Sequence, residues 1–532
     1  MNALYNAATN FATEHRGVFV TIFVLPVSLV FDVVFSVRAW LVFKFYSAPK
    51  LHAARVSDIQ AQLRRWKDAG AKGKLCTSRG GWQSISPSMR SYKQAASTVN
   101  INMYDILELN KEEGWVHVEP MVNMGQLSHF LVPHNLTIPV LPEMDDLTVG
   151  GLLMGVGIET SSHKYGLFND TVIEAEMILS NGEVLTCSKT QNRELFDALP
   201  WSYGTLGFLA SVKIKVIPSK PFVKISYIPC KTQEEAVKTF KKYSLMDNPP
   251  DFVEALAYSK EEMVVMPASF ADASEVESGK LNCIGRWYKP WFFKHVQSFL
   301  RGSETKVEYL PLRDYYHRHT KSIFWELEEI IPWGNNVVFR FLLGWAVPPK
   351  VSFLKLTQTK AIRDLYETQH VIQDMMVPFD TMAKSLDVFH EQYNIYPLWV
   401  CPYRAYSYKS KEAPHRCFLK EPENLIKGKE YEMYVDLGAY GVPRAVHEKR
   451  PFDIVKVSRA VESFVESVHG FQMLYADSYQ TRDEFRTMFD HSHYDAMKKK
   501  YDSMGGFPEV YDKVCKKGQA SWAQAATAKK NN

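Results

Sequence analysis

The sequence predicts an α+β protein of more than one domain, preceded by one N-terminal transmembrane helix. Three observations carry this: a length of 532 residues, well beyond the roughly 100 to 200 of a single domain; one long apolar run near the N-terminus; and helical and strand-like segments alternating after it. Hydrophobic residues make up 46% and charged residues 23%. Both are near globular averages, which excludes a disordered polymer and a multi-span membrane protein. A net charge of +4, with no long basic run before the tail, excludes nucleic acid as the implied partner. The 13% of aromatic residues suits large apolar clefts or contact with membrane. Seven scattered cysteines without CxxC or zinc spacing read as free thiols in a reducing compartment, with no disulfide framework and no metal site.

Between Arg16 and Arg38 the chain reads GVFVTIFVLPVSLVFDVVFSV, whose only charge is Asp32. Its length of about 20 residues is enough to span a bilayer. Trp40, Phe43, Lys44 and Phe45 follow as an interfacial belt, and no small-residue cleavage site follows the run. Arg38, Lys44, Lys50 and Arg55 after the segment, against Arg16 before it, place the bulk of the chain in the cytosol. Residues 1–50 are therefore expected to be an anchor and its flank.

Next, LHAARVSDIQAQLRRWKDAG spaces Val56, Ile59, Leu63 and Trp66 as an amphipathic helix. A short strand at 74–77 enters the turn Arg79-Gly80-Gly81-Trp82. Segments 101–110 and 115–122 alternate as strands, 124–132 is helical, and 172–187 is a hairpin about Asn181-Gly182. Beyond Pro218 and Pro221 come a strand (VKISYIPC), a helix (EEAVKTFKKYSLM), an aromatic-rich zone, a strand at 431–441 and an amphipathic helix at 454–470. The polar, alanine-rich end reads as a frayed tail.

The chemistry concentrates in LPEMDDLTVGGLLMGVGIETSSHKYGLFND, residues 141–170. Closely spaced glycines let backbone approach a ligand, their N–H groups can form an anion nest, and Thr148, Ser161 and Ser162 add hydroxyls. A dinucleotide fingerprint does not fit, since Gly155, Gly157 and Thr160 break GxGxxG. With TSRGGW at 77–82 and the GTLG segment at 204–207, these elements resemble the flavin domain of the vanillyl-alcohol oxidase superfamily. That resemblance implies a PCMH-type FAD-binding domain over 51–220, an α/β substrate-binding cap over 221–465, and a C-terminal segment, 466–532, near the flavin. It assigns FAD to Arg79, Gly80, Gly81 and Trp82 of the first loop. From the second segment it assigns Thr148, Val149, Gly150, Gly151, Leu152, Leu153, Met154, Gly155, Val156, Gly157, Ile158, Glu159, Thr160, Ser161, Ser162 and Gly166; from the third, Gly207. Many members attach FAD through a histidine after the first loop. Trp82 stands there, so FAD is expected to be noncovalent.

A closer resemblance covers nearly the whole chain. SAPKLH (47–52), DDLTVGGLLMGVGIETSSHKYGLF, YKPWFFKHV (288–296), YYHRHTKSIFWEL (315–327), HGFQMLYADSY (469–479) and FPEVYDK (507–513) resemble the delta-24 sterol reductases of the Diminuto type. What this implies is FAD- and NADPH-dependent reduction of a sterol side-chain double bond at the endoplasmic reticulum membrane, extending to the Golgi, with other sterol-biosynthesis enzymes as candidate partners. An isolated trisubstituted alkene offers no carbonyl to accept charge, so a proton must arrive at C24 as hydride from reduced flavin reaches C25. Superfamily oxidases carry a lysine near the flavin that is absent from Leu474-Tyr475-Ala476-Asp477, which fits a reductase. Tyr475 and Asp477 are the expected general acids, with Glu432, Tyr434 and Asp436 as alternatives. His317-Arg318-His319 and 287–295 read as a basic, aromatic surface for lipid headgroups or NADPH phosphate, with a buried aromatic core as the alternative. A flavin oxidase of a sugar or alcohol and a non-catalytic sterol-binding membrane protein are the competing readings.

Overall fold

The computed structural model describes residues 15–46, 48–80, 83, 92–93, 96–356, 358–410, 418–502 and 504–531. The apolar run forms one helix, Arg16–Phe45, long and apolar enough to cross a membrane. A π-turn at Val20–Val24 precedes Pro26, whose ring nitrogen cannot donate back along the helix. The helix lies against the folded body. A Cβ on Gly17 would stand 2.6 Å from Ile330 O, Asp32 pairs with Lys350 at 2.7 Å, and Phe43 packs 4.8 Å from Phe130. The next helix, Ala48–Asp68, buries Val56, Ile59 and Leu63 in a small core with Leu75, Val99, Phe208 and Phe507.

Leu75–Thr77 and Ser97–Val99 pair in parallel. An antiparallel five-stranded sheet then runs, in spatial order, Ile106–Asn110, Trp115–Val118, Phe208–Lys215, Val172–Ile178 and Val184–Ser188. The last two form the expected hairpin, closed by Gly182 at φ 85°, where a side chain would be strained. Asn123 caps Met124–Leu131 through a capping box with Gln126. Val149–Met154 is a one-turn helix whose Gly150 lies so close to Pro120 that a Cβ would meet its ring at 2.9 Å.

The second sheet has eight antiparallel strands. Its order is Lys306–Pro311, Phe222–Cys230, Met263–Ala271, Phe252–Ala257, Leu398–Tyr406, Tyr431–Gly441, Val371–Pro378 and Phe471–Gln472. Tyr431–Gly441 is buried from Glu432 onward, as befits a strand covered on both faces. Gln233–Leu245, Met382–Gln392 and Ile454–Ser467 pack as helices on this sheet, capped at the first and last by Thr232 and Asp453.

Two expectations change. The tail is helical over Lys516–Asn531: alanine favours helix, and Trp522 stacks on Tyr92 at 4.8 Å. The His317-Arg318-His319 segment is buried. Arg318 donates to Glu254 at 2.7 and 2.9 Å and to Glu159 at 3.1 Å, and His319 lies 3.3 Å from Glu254. A charge trio fully removed from water requires such partners, and Glu159 and Glu254 come from opposite sides of the boundary between the two sheets. Val253 N donating to Thr160 O at 2.9 Å reinforces the same joint. Within 287–295, Trp291, Phe292 and Phe293 are core, while Trp287 and Tyr288 stay exposed.

Candidate functional site

A cleft opens between the glycine-rich segment and the second sheet. One wall is Thr148, Gly151, Leu152, Gly155, Val156, Gly157 and Ile158, with Arg79 beside them; the other brings Phe324, Ile372, Asp374, Trp399, Tyr440 and Tyr475. The glycines are there because space is short: a Cβ on Gly155 would fall 2.6 Å from Gly151 O, and one on Gly157 2.7 Å from the Leu152 side chain. Strand alternation aims Ile372 and Asp374 at the cleft together.

Asp374 is the centre of the polar end. The Tyr440 hydroxyl donates to its Oδ1, and Tyr475 and Asp436 adjoin it closely enough to bear on its charge. Burial raises the Asp374 carboxyl to about 6, against the pull of those three neighbours. Burial and the neighbouring Asp374 charge push Asp436 well above the usual carboxylate range. Burial, then Asp374, likewise raises Tyr440 and Tyr475 above the ordinary phenol value. At neutral pH Asp436 therefore keeps its proton and Asp374 exchanges one. Gly438 makes the arrangement possible, since a Cβ there would stand 2.7 Å from Asp374 Oδ1 and collide with the Tyr440 hydroxyl. Aromatic faces close the space: Phe324 lies 4.9 Å from Tyr440 and 5.7 Å from Trp399. Glu143, also on the cleft wall, is raised far above its usual value by burial and by Glu159.

Comparisons with known proteins bear on this geometry. Residues 51–188 match a family described as an FAD binding domain. The chain is 49% identical to the Delta(24)-sterol reductases of Mus musculus and Homo sapiens, over 94% of its own length and 94% of theirs. It is 39% identical to the Delta(24)-sterol reductase of Arabidopsis thaliana, over 96% of this chain and 93% of that one. The chain belongs to the delta(24)-sterol reductase family.

As a member of that family with an FAD binding domain, the chain must present a site for a diphosphate and a flat apolar ring. The cleft fits. Arg79 lines it and donates to Gln83 O at 2.9 Å; burial disfavours its cation and Tyr104 and Asp146 offset that in part, so a diphosphate would add further negative charge beside it. Leu152, Val156 and Ile158 give the apolar wall.

The structure divides the sequence-derived positions. Gly80 N donates to Gln83 Oε1 at 3.0 Å beside the cleft; Gly81 and Trp82 lie outside the described residues. Val149, Gly150, Leu153 and Met154 hold the back of the glycine segment and are not among the lining residues. Glu159, Thr160, Ser161 and Ser162 are committed to structure: Glu159 to Arg318, Thr160 to Tyr315 at 3.2 Å, Ser161 to Pro139 O at 2.8 Å, Ser162 to Glu159 N at 3.0 Å. Gly166 packs on Asp170 and Tyr406, and Gly207 on Met177. Tyr475 enters the cleft. Asp477 does not: its carboxylate pairs with Lys516 at 2.9 Å, and its carbonyl accepts from Gln373 and Gln472. Of the alternatives, Asp436 borders the site, Glu432 accepts from Asn424 N at 3.0 Å, and the Tyr434 hydroxyl donates to His469 O at 3.2 Å. Sequence reasoning missed Asp374, Tyr440 and Gly438. The signal was a carboxylate inside each of two largely apolar runs, VIQDMMVP and MYVDLGAY.

Proposed function

We propose that this chain reduces the delta-24 side-chain double bond of sterol intermediates, converting a desmosterol-like to a cholesterol-like side chain with NADPH as reductant. It acts at the endoplasmic reticulum membrane, reaching the Golgi, with the catalytic body in the cytosol beside other enzymes of sterol synthesis. The supporting observation is the convergence of the glycine segment and the Asp374 cluster on one apolar cleft in a chain related to sterol reductases end to end. The flavin and substrate parts divide at about residue 220.

Bound FAD supplies hydride to the alkene. The chain's own residues supply the rest. Asp374, the least basic proton-bearing carboxyl on the cleft wall, donates its proton to C24. The carboxylate left behind is stabilised by the hydrogen bond from Tyr440 and by the adjoining Tyr475 and protonated Asp436. Phe324, Trp399 and Tyr440 present aromatic faces to the positive charge developing at C25. Tyr475 thus supports the acid, and the acid role expected of Asp477 passes to Asp374.

Anaerobic half-reactions test the proposal. NADPH should bleach the flavin of the detergent-solubilised holoprotein, and desmosterol should restore its colour with formation of the saturated sterol. Bleaching by an alcohol, with recovery only on adding oxygen, would replace the reductase by an oxidase. FAD released into the supernatant on acid precipitation is the expected sign of noncovalent binding.

A further inference from the structure

Two surfaces expose large apolar side chains, and they adjoin. One is the outer face of the helix Arg16–Phe45, including Ile22, Phe23, Val30 and Val34. The other is the helix Val337–Leu343 with the turn after it, where Phe341 and Leu342 are 59% and 67% exposed beside Trp345. The turn Gly344–Ala346 packs on the N-terminal helix. Single exposed apolar residues are ordinary, but a continuous patch of this kind marks a binding face. Lys44 sits 5.1 Å over the Trp40 ring, the pairing of cation and indole found at the lipid headgroup level. The cleft reaches this face: Arg16, Val351, Leu354 and Tyr366 line it, and Leu356 beside them is exposed.

The folded body holds the helix along its length. The folded body touches it at Arg16, which donates to Tyr366 at 3.1 Å. Contacts recur where Lys350 N donates to Ser28 at 3.0 Å and where Arg38 pairs with Asp105 at 3.1 Å, and they continue to Phe43. At 1.5 Å per residue those contacts extend over roughly 40 Å, more than the about 30 Å of a hydrocarbon core. A body that holds both ends of the helix cannot stand on one side of that core. Asp32, within the apolar run, pairs with Lys350 of the body, which Asp146 shares; a spanning pose would carry the carboxylate into lipid without that partner.

We infer that the chain is monotopic. The helix lies in the plane of one leaflet, joins residues 337–346 in a single face embedded in lipid, and the cleft opens into that face so that an apolar substrate enters sideways from the bilayer. Lateral entry rests on the sterol reading above; the orientation of the helix does not.

In sealed microsomes holding the full chain with an epitope tag ahead of Met1, tag and catalytic body should be open to protease from the same, cytosolic side. A tag protected until detergent is added overturns the in-plane helix. With desmosterol in phosphatidylcholine vesicles, Phe341→Glu combined with Leu342→Glu should lower turnover about tenfold or more through KM, while turnover of the same sterol in detergent micelles stays within about twofold. Unchanged turnover in vesicles, or equal losses in vesicles and micelles, overturns lateral entry. A loss that tracks dissociation of a dimer in light scattering also overturns it, by giving the face to a second copy. If the parent protein reduces no sterol in micelles, the reaction proposed above fails, and the tag result still decides the orientation.

Discussion

Asp374→Asn separates proton delivery from everything else the site does. The substitution keeps the shape of a side chain that accepts from Tyr440 and adjoins Tyr475, but it removes the proton given to C24. A positioned general acid contributes about a hundred- to ten-thousandfold, so sterol-driven flavin reoxidation should slow by about that factor, while bleaching by NADPH and FAD binding persist. The pH dependence carries the sign. Asp374 is raised to about 6 and must be protonated to act, so parent reoxidation is fast below pH 6 and falls about tenfold per unit as pH rises above it. That limb should vanish in Asp374→Asn. Tyr475→Phe deletes a hydroxyl that lowers the Asp374 value, so its limb should move to higher pH with the rate below pH 6 largely kept. Stopped-flow absorbance under anaerobic conditions reads all three proteins. Reoxidation unchanged in Asp374→Asn, or a limb that Tyr475→Phe moves to lower pH, would refute the assignment.

Gly438→Ala should abolish the sterol half-reaction while sparing the NADPH one, because its Cβ would stand 2.7 Å from Asp374 Oδ1; the same stopped-flow pair checks it. Arg79→Ala should weaken FAD about ten- to a hundredfold, the worth of a charge-assisted hydrogen bond, as read by flavin fluorescence titration. Arg318→Met leaves Glu159 and Glu254 buried without their cation, and breaking a buried pair costs about 3–5 kcal/mol, measurable as a lowered denaturation midpoint. His52 lies 3.0 Å from both Glu119 and Glu176; burial opposes its charge, but the two carboxylates outweigh it and raise the imidazole to about 9. Its stabilisation is complete below the ordinary histidine value of about 6.5 and is lost as pH rises through 9, so melting temperature should fall over that window more steeply in the parent than in His52→Gln.

What was legible in the sequence was what neighbouring residues decide. The Asn181-Gly182 hairpin, the helix with Val56, Ile59 and Leu63 on one face, and the buried strand at 431–441 each announce themselves within a dozen residues. The glycine wall of the cleft was legible because close backbone approach has a composition. The acid was not, because Asp374 meets Asp436 only through the pairing that sets Met376 opposite Asp436 and Asp374 opposite Gly438, a register no local pattern reports. The same nonlocality hid the burial of Arg318, whose carboxylates lie at positions 159 and 254, and the docking of the apolar helix, whose Asp32 answers to Lys350. In all three places a charged group sits where the surrounding apolar residues forbid one unless a distant partner arrives. A carboxylate within a largely apolar run is therefore itself the signal: VIQDMMVP and MYVDLGAY each contain one, they pair in the same sheet, and their meeting point is where the proposed acid sits.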